Sequence, residues 1–357
     1  MIVTHVSLRD FRSYGSLELD LEPGLVVVTG PNGVGKTNLL EALHVGSQGF
    51  SPRTRVEARL VRFGERAARV TLAGTEGGAG VRTEVTIEPR ERKQVLLNGA
   101  AVETADDLRA RLATLAFLPD RLAIVKGGPL VRRSYVDRML GRILPARASL
   151  PSDYARALAQ RNESLRRVRA GASSRAAVAP WTERLAEVGT DLDAARAELV
   201  DLIGPRFAES ARLLGLAGAL IAYEHRPLSA ADLDARLDSD LERGTTGIGP
   251  HLRDVRIAAN GRDLRSFGSQ GEQRSAVLAL VLAEARLLAE RRGSPPLLLL
   301  DDVLSELDES RRRALLGALP EGGQTVLTAT SVGALPADGP TPALVVAVTP
   351  GRAETAA

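Results

Sequence analysis

The chain has 357 residues, a length that exceeds one ordinary hydrophobic core and predicts two domains, or one domain with a large insert. It contains no cysteine, which excludes disulfides and thiolate metal sites, and its four scattered histidines suggest no metal-ligand cluster. No apolar run reaches the roughly eighteen residues of a membrane span, and MIVTHVSLRD lacks the order of a signal peptide. We therefore expect a cytoplasmic protein with no membrane partner.

The charge is small in sum but uneven along the chain. The formal net charge is +3, and 44 of the 47 basic residues are arginine, a bias that we attribute to base composition. Residues 109–147 contain nine basic and two acidic side chains, whereas residues 183–243 contain thirteen acidic and seven basic ones. This distribution predicts an electrically asymmetric molecule.

The first hundred residues indicate a strand-rich section. Three strands are predicted at IVTHVSL, SLELDL and GLVVVT, the last being a continuous apolar run typical of a buried strand. A helix is predicted over residues 36–45. Further strand-like segments follow at ARVTLAG, VRTEVTIE and KQVLLNGAAV, and Asn98-Gly99 is a two-residue hairpin signal.

The middle of the chain predicts a helical insert, because residues 104–216 are rich in Ala, Leu, Arg and Glu at helical spacing. Strands return at ALIAYEH and at VRIAANGRDLRSF, a hairpin turning at Asn260-Gly261, before a helix over residues 271–292. LLLLDD and QTVLTAT are buried-strand candidates. We expect the Pro- and Ala-rich tail after Ser331 to be partly loose.

The segment GPNGVGKT matches the phosphate-loop pattern G-x-x-x-x-G-K-[ST] and lies between a predicted buried strand and a helix. A glycine-rich turn by chance is the alternative, which this context disfavours. The loop's N–H groups and the helix N-terminus would face phosphate oxygens, with the lysine near the terminal phosphates and the threonine hydroxyl near Mg²⁺. The predicted nucleotide-binding residues here are Gly30, Pro31, Asn32, Gly33, Val34, Gly35, Lys36, Thr37 and Asn38.

The segment LLLLDDVLSELD predicts a magnesium strand. Four apolar residues deliver Asp301 to the strand end, where its carboxylate can hold Mg²⁺ through water or through Thr37. Asp302 can then lean toward the attacking water, because neighbouring side chains of a strand point to opposite faces. Helix or turn capping is the alternative role for the two aspartates. We assign catalytic roles to Lys36, Asp301 and Asp302, and the metal site to Thr37 and Asp301.

The segment SFGSQGEQRS places a small-residue turn at the start of a helix. Ser269 and Glu272 fit the S-x-x-E form of a capping box, which would explain the pattern without any function. A capped helix start with glycine in its first turn is also a phosphate site. Since one phosphate loop already serves a nucleotide within the chain, this second site predicts a second molecule.

The order of these motifs resembles the nucleotide-binding head of the ABC ATPase superfamily, in which two heads clamp two ATP molecules. Transporter heads and SMC heads match less well, because the chain has neither membrane spans nor long coiled-coil arms. Within the superfamily the chain resembles the RecF family of recombination mediators over nearly its whole length, through the segments LRDFRSYGSLELDLEPGLVVVTGPNGVGKTNLLEAL, FLPDRLAIVKGGPLVRRSYVDRML, TTGIGPH, FGSQGEQRSAVLALVLAE and LLLLDDVLSELD.

The resemblance implies an α/β fold: an ABC-type ATPase head with mixed β-sheets around the phosphate-loop helix, and an inserted, mainly helical arm. We place the discontinuous head at residues 1–105 and 217–357, and the arm at 106–216. The resemblance further implies that Arg12 approaches the nucleotide and that Asp308 of the SELD segment is the D-loop aspartate. It also implies a signature that contacts the γ-phosphate across a dimer, formed by Ser269, Gln270, Gly271 and Gln273.

In function, the resemblance implies a weak ATPase with ATP and Mg²⁺ as cofactors, and an ATP-dependent homodimer that binds duplex DNA and single-strand gap edges. RecR and RecO are the implied partners, together with which it places RecA on gapped DNA. Recombinational repair, DNA replication and the SOS response are the implied processes.

The chain departs from the family pattern at several positions. GPHLRDV replaces the usual G-P-H-R-D-D and leaves roles for His251 and Arg253 open, the switch histidine is missing at Thr328-Ala329-Thr330, and Leu118-Pro119-Asp120 stands where a Q-loop glutamine is expected. Asp302 occupies the place of a catalytic glutamate and is one methylene shorter. Because small misplacements of a base can cost on the order of a hundredfold in rate, we expect slow hydrolysis.

Arginines are the candidate DNA contacts, because duplex DNA is bound mainly through its phosphates and an aromatic content of 3% offers no stacking platform. A solvated face or an internal ion pair is the alternative for each of them, and Arg132 and Arg133 could pair with Asp137. Two other functions stay open: an NTPase switch that acts only on protein partners, and an ABC transporter subunit. The DNA candidates are Arg53, Arg55, Arg59, Arg62, Arg66, Arg132, Arg133 and Arg138.

Overall fold

The structure is a computed structural model that describes residues 1–102, 105–305 and 307–356, without the side chains of residues 105, 106, 110, 119 and 120. Its contacts divide the chain into two compact units. The first consists of Met1–Leu122, Glu209–Ala217 and Gln270–Ala357, and the second of Ala123–Ala208 and Gly218–Ser269.

The described residues contain fifteen strands and eleven α-helices. The strands are β1 (Ile2–Phe11), β2 (Tyr14–Asp20), β3 (Gly24–Thr29), β4 (Ala68–Glu76), β5 (Ala79–Ile87), β6 (Gln94–Leu97), β7 (Ala100–Ala101), β8 (Thr114–Phe117), β9 (Ala219–Tyr223), β10 (Val255–Ala259), β11 (Arg262–Asp263), β12 (Leu297–Leu300), β13 (Gln324–Ala329), β14 (Leu344–Thr349) and β15 (Arg352–Thr355). The helices are α1 (Lys36–Gln48), α2 (Ala105–Arg111), α3 (Ala123–Lys126), α4 (Pro129–Ile143), α5 (Leu150–Arg169), α6 (Ala179–Leu213), α7 (Ala230–Asp234), α8 (Leu237–Arg243), α9 (Leu264–Phe267), α10 (Gln270–Arg292) and α11 (Glu309–Gly317).

A six-stranded sheet in the first unit positions the nucleotide motifs. Its order is β15-β14-β3-β13-β12-β8, and all neighbours are parallel except β14 and β15. Because β13 pairs with both β3 and β12, the carboxyl ends of these three strands meet at one edge. Ligands of open α/β sheets bind at such an edge. The phosphate loop, the two aspartates and the end of the QTVLTAT strand all emerge there.

The second sheet of this unit is antiparallel, in the order β2-β1-β4-β5-β6-β7. Apolar residues of both sheets and of α1 form one buried core, for example Leu8, Val26 and Leu40. The side-chain amide of Gln324 on β13 accepts from the Val3 N–H and donates to the Val3 carbonyl, both at 2.8 Å. This pair of hydrogen bonds ties the parallel sheet to the antiparallel one.

The second unit contains α3, α4, α5, most of α6, α7, α8 and α9, with the small antiparallel sheet β11-β10-β9. Its interior contains the fully buried Arg161, which donates to Asp240 at 2.8 Å and to Thr246 at 2.7 Å. A buried arginine is tolerated only when it is paired and hydrogen-bonded in this way. Among the described helices, none has the length and apolar character needed to cross a membrane.

Most of the predicted elements are confirmed. The three N-terminal strands, the helix after the phosphate loop and the strands LLLL and QTVLTA are present. The two hairpin turns are confirmed as well, because Asn98 and Asn260 have φ of 50° and 49° and a glycine with positive φ follows each. Such angles are those of the two-residue hairpin turn.

One prediction of local structure is wrong, and the tail after Ser331 is more regular than expected. β8 is a strand inside the predicted helical insert, where its four buried residues pair with β12 of the parallel sheet. A strand this short gives no readable period. The tail after Ser331 forms β14 and β15, and β14 lies directly beside β3.

The predicted domain boundaries differ from the compact units. Residues 106–122, predicted to lie in the arm, belong to the first unit, because β8 completes the parallel sheet there. Residues 218–269, predicted to lie in the head, belong to the second unit, where β9, β10 and β11 form a sheet of their own.

Candidate functional site

The phosphate loop connects β3 to α1 and depends on glycine conformations. Gly30 has φ of 146°, and a Cβ there would lie 2.5 Å from the Val348 carbonyl oxygen. Gly35, directly before α1, has φ of 120°. The Tyr14 hydroxyl donates to the Gly35 carbonyl at 3.0 Å and holds the second half of the loop. A larger residue at either glycine would be strained. The two glycines therefore allow the loop to adopt this conformation, with its backbone N–H groups not covered by side chains.

Lys36 lies along the inside of this loop. Its ammonium donates to the carbonyls of Gly30 at 2.6 Å and Pro31 at 2.9 Å, and the residue is only 9% exposed. Burial lowers the pKa of Lys36, and the nearby charges of Asp302 and Asp301 oppose this shift. A phosphate group in the loop would favour the charged ammonium further.

Thr37 and Asp301 form the predicted metal pair. The Thr37 hydroxyl donates to Oδ2 of Asp301 at 2.8 Å, although 264 residues separate the two in sequence. Mg²⁺ prefers oxygen ligands and is commonly held by one or two protein groups with water and phosphate oxygens completing its shell. The two oxygens present here fit such an ion.

Thr328 on β13 contacts both aspartates. Its hydroxyl donates to Oδ1 of Asp301 at 2.7 Å and accepts the backbone N–H of Asp302 at 2.8 Å. Asp302 has φ of 51°, in the left-handed region that non-glycine residues rarely adopt. The sequence pattern identified Thr328 only as a departure from the switch histidine.

Arg12 is held beside the phosphate loop by a buried carboxylate. Glu41 on α1 is fully buried and accepts from Arg12 Nε at 2.9 Å and from Nη2 at 2.8 Å. The same carboxylate accepts from Arg53 Nη1 at 3.0 Å and from the Ser51 hydroxyl at 2.6 Å. Asn38, the residue after Thr37, also accepts from Arg53, at 3.2 Å. Glu41 therefore positions two arginines next to the phosphate loop.

A cavity of about 580 Å³ adjoins this network. Its lining includes Arg12, Asn38, Arg53 and Arg62, together with Phe63, whose side chain is fully exposed. The cavity is therefore partly cationic and has one aromatic face available. The sequence pattern did not single out Phe63, because a lone aromatic residue between strands carries no signal of its own.

The predicted signature begins α10. Ser269 directly precedes the helix, and Ser269, Gln270 and Gly271 are exposed. Gln273 is only 4% exposed, so its side chain is buried in the single chain. Its contact with a second molecule stays a prediction, and the burial makes it less accessible than its three neighbours.

Asp308, the predicted D-loop aspartate, is the N-cap of α11. Its side chain accepts from the Arg311 N–H at 2.9 Å and from the Ser310 hydroxyl at 2.7 Å, and these hydrogen bonds lower the pKa of its carboxyl group. A capping role of this kind fixes the turn that leads from the two aspartates into α11. Glu306 of the same motif lies outside the described residues.

The arginines after α1 differ in their contacts. Arg55, Arg59 and Arg66 are exposed and have no side-chain partner in the described part of the chain. Arg62 lies 3.8 Å from Asp10, while Arg53 is bound to Glu41 as described. Three of the five candidates thus present free guanidinium groups to solvent.

The two central arm arginines are bonded within the second unit. Arg132 is 4% exposed and donates to both carboxylate oxygens of Asp254, at 2.8 and 2.5 Å. Arg133 is half-buried and donates to the Arg253 carbonyl at 2.7 Å. Asp137, the expected partner of both, is instead bound by Arg196 at 2.8 and 2.9 Å. Burial and pairing favour the internal ion pair as the role of Arg132, the alternative given for each candidate DNA contact.

The remaining predicted positions are internal or outside the description. His251 contacts the Tyr154 hydroxyl at 2.7 Å and the Thr246 carbonyl at 3.2 Å, and Arg253 forms an ion pair with the buried Asp193. Arg138 is exposed on α4. Leu118 is buried after β8, whereas the side chain of Asp120 lies outside the described residues.

Comparison with known proteins agrees with this geometry. The family model of the RecF/RecN/SMC N terminal domain matches residues 2–333. The DNA replication and repair protein RecF of Symbiobacterium thermophilum is 38% identical over 353 residues, covering 93% of this chain and 92% of that protein. The corresponding RecF of Heliobacterium modesticaldum is 36% identical over 344 residues, with the same coverage.

Among solved structures, the recombination mediator protein RecF with ATP, from the RecFOR pathway, superposes with a TM-score of 0.86 at 28% identity. The match covers 99% of this chain and 97% of that one. The expected fold class, an α/β ABC-type ATPase head with inserted helices, is confirmed by this match.

Proposed function

The chain belongs to the RecF family, and on that premise we propose that it is an ATP-dependent DNA-binding protein of recombinational repair. The observation that carries the proposal is the 2.8 Å hydrogen bond between Thr37 and Asp301. It brings the end of the phosphate loop and the end of the magnesium strand together, as a nucleotide-hydrolysing site requires.

ATP with Mg²⁺ is the proposed ligand pair. The loop amides and Lys36 would bind the phosphates, and Thr37 and Asp301 would hold Mg²⁺, which neutralises charge on the transferring phosphoryl group. Arg12 and Phe63 border the adjoining cavity, whose volume of about 580 Å³ suits a nucleobase and its sugar. The relative whose structure matches this chain is named as an ATP complex, which supports the same choice.

Hydrolysis is proposed to be slow. Asp302 has a side chain one methylene shorter than glutamate, and its left-handed backbone fixes the direction in which that side chain leaves the strand. A base held too far from its water loses positioning, and the loss can reach on the order of a hundredfold. ATP binding would then be the switch, and hydrolysis would reset it.

The switch is proposed to be an ATP-dependent homodimer. The exposed Ser269 and Gly271 at the start of α10 offer a second phosphate site. Because the nucleotide of the same chain is assigned to the phosphate loop, this second site would bind the nucleotide of another copy. In the dimer, the nucleotide bound by the phosphate loop of one copy would be contacted by Ser269 of the other. The D-loop turn capped by Asp308 would lie in the same interface.

Duplex DNA and single-strand gap edges are the proposed DNA ligands, with RecO and RecR as partners that help to place RecA on gapped DNA. Two observations support this proposal: the family relatives are named as replication and repair proteins, and Arg55, Arg59 and Arg66 present unpaired charges. A switch that acts only on protein partners is the second candidate, favoured by the small net charge of +3 and by the internal pairing of Arg132.

The test is sedimentation of the wild type at micromolar concentration with ATP, without ATP, and with ATP and gapped duplex. We expect a dimer only with ATP, and DNA retention that falls steeply with salt. A monomer under all three conditions would refute the ATP-driven dimer. A dimer that retains no DNA at low salt would favour the protein-only switch.

A further inference from the structure

Thr328 lies at the end of β13, in the segment where the switch histidine is missing, and beside both aspartates of the magnesium strand. β13 runs between β3 and β12, and in its register Val28 is opposite Thr328 and Leu300 is opposite Leu327. The residue after Leu300 is Asp301, so Thr328 is placed directly beside the metal-binding carboxylate. The side chain is 1% exposed, and water therefore cannot replace it readily.

The hydrogen bonds of Thr328 have fixed directions. A hydroxyl has one proton, and here that proton goes to Oδ1 of Asp301 at 2.7 Å. Oδ2 of the same carboxylate faces the Thr37 hydroxyl at 2.8 Å. With one oxygen bonded from the sheet side and the other from α1, the carboxylate cannot rotate. Oδ2 is thereby kept toward the metal site.

The hydroxyl oxygen of Thr328 also accepts the Asp302 N–H at 2.8 Å. Asp302 is in the left-handed region, which costs energy for an aspartate and persists only where its surroundings hold it. The bond to Thr328 is such a restraint. One buried hydroxyl thus fixes the side chain of the metal-binding residue and the backbone of the residue proposed to orient water.

From this geometry we infer that Thr328 is a positioning residue for the reaction, acting through Asp301 and Asp302. The inference rests on the proposed function, because it assigns Thr328 a role in the use of Mg²⁺ and ATP. Loss of the hydroxyl is expected to loosen the metal-binding carboxylate while leaving the phosphate loop intact.

The test compares Thr328→Val, which keeps the shape and removes the hydroxyl, with Thr328→Ser, which keeps the hydroxyl. Thr325→Val is the matched control, because Thr325 is a buried threonine of the same strand. Three quantities are measured: affinity for a fluorescent ATP analogue without Mg²⁺, the Mg²⁺ concentration that half-saturates tight binding, and kcat with KM for ATP.

For Thr328→Val we expect unchanged affinity without Mg²⁺, an increase of about tenfold in the half-saturating Mg²⁺ concentration, and a fall in kcat of at least about tenfold. Thr328→Ser and Thr325→Val should stay within about threefold of the wild type. If the hydroxyl of Thr328 were merely structural, its removal would lower thermal stability but would affect nucleotide binding equally with and without Mg²⁺.

The outcomes separate the two proposals. A wild type that fails to bind the analogue with Mg²⁺ would refute the proposed function. A wild type that binds, with Thr328→Val indistinguishable from it, would overturn the role of Thr328 alone. If Thr328→Val does not fold, Thr328→Cys against Thr328→Ser makes the same comparison, because a thiol is a much weaker donor of similar size.

Discussion

The guanidinium of Arg12 is bound through Nε and Nη2 to the two carboxylate oxygens of Glu41, at 2.9 and 2.8 Å. Glu41 is fully buried, and it binds Arg53 as well. The carboxylate of Glu41 therefore fixes the guanidinium groups of both arginines beside the phosphate loop. Their charges are partly offset by a carboxylate that no ligand can reach.

Removal of this carboxylate charge should destabilise the first unit. For Glu41→Gln we expect the free energy of unfolding to fall by about 2 to 3 kcal/mol, because two partly buried guanidinium groups lose their counter-ion. Urea denaturation measures the change. The control is Glu57→Gln, which removes a more exposed partner, that of Lys93, and should cost less than about 1 kcal/mol. Equal costs for the two variants would contradict the central role of Glu41.

Lys36→Met should strongly weaken nucleotide binding while preserving the fold. The ammonium is the charged group inside the loop, and its removal leaves only backbone amides for the phosphates. We expect affinity for ATP to fall at least about a hundredfold, because charge-assisted hydrogen bonds are among the strongest available. Equilibrium binding of a fluorescent analogue measures the loss. Lys93→Met, in the antiparallel-sheet region, is the control and should bind as the wild type does.

Ser269→Arg should prevent the dimer without affecting ATP binding by the monomer. The position is exposed at the start of α10, so a longer cation fits the free chain but occupies the space meant for a second copy's phosphate. In sedimentation with ATP, the wild type should dimerise and the variant should stay monomeric. Ser174→Arg, at another exposed serine, should dimerise normally. A dimeric Ser269→Arg protein would refute the proposed trans contact.

Arg55→Ala and Arg59→Ala should each weaken DNA binding by the same factor for every DNA sequence. Each removes an exposed, unpaired charge, and loss of one phosphate contact lowers the slope of log affinity against log salt by about one. Filter binding to gapped duplex between low and moderate salt measures the slope. Arg132→Ala is expected to act differently: it should lower stability, because Asp254 loses its arginine counter-ion, and it should leave the salt dependence of DNA binding by the folded protein unchanged. Unchanged slopes for Arg55→Ala and Arg59→Ala would favour the protein-only switch.

His251 should make the chain less stable in acid. Burial lowers the pKa of His251 below its ordinary value of 6.5, so the folded state binds fewer protons than the unfolded state. Stability from this residue is therefore present above pH 6.5 and is lost as the pH falls through the folded pKa. Urea midpoints between pH 7 and pH 5 measure the effect, which His251→Gln should reduce.

His5 contributes to the pH dependence of stability with the opposite sign. Hydrogen bonds to Asp20 and Glu18 raise the pKa of His5, so its contribution is present below pH 6.5 and is lost as the pH rises through the folded pKa. The His251 comparison is therefore best made in a His5→Gln background. An unchanged acid dependence of stability in His251→Gln, in that background, would show that His251 does not cause it and would contradict this prediction.

The sequence predicted the parts of the site that follow from contiguous patterns. The phosphate loop, the strand ending in Asp301 and the helix after Ser269 each carry a local signal: glycine spacing, an apolar run or a small-residue turn. Glu41, Thr328 and Phe63 carry none, because their roles depend on partners that the fold brings near: Arg12 lies 29 positions from Glu41, and Asp301 lies 27 positions from Thr328. The same holds for β8 and β14, which are strands only because β12 and β3 lie beside them. Gln273 and Arg132 looked available in the sequence and are buried by the fold.

Thr37 and Asp301 lie 264 positions apart in sequence, and in the part of the chain that the structure describes β3 pairs with β13 and β14, two strands near the end of the chain. During synthesis the phosphate loop therefore leaves the ribosome early, but β3 cannot pair until β13 and β14 have been translated near the end of the chain. The second unit, made in between, can become compact first. We therefore expect a nascent or truncated chain that ends before β13 to contain the whole phosphate loop but to lack the strand that joins β3 to β12 and so brings Thr37 to Asp301.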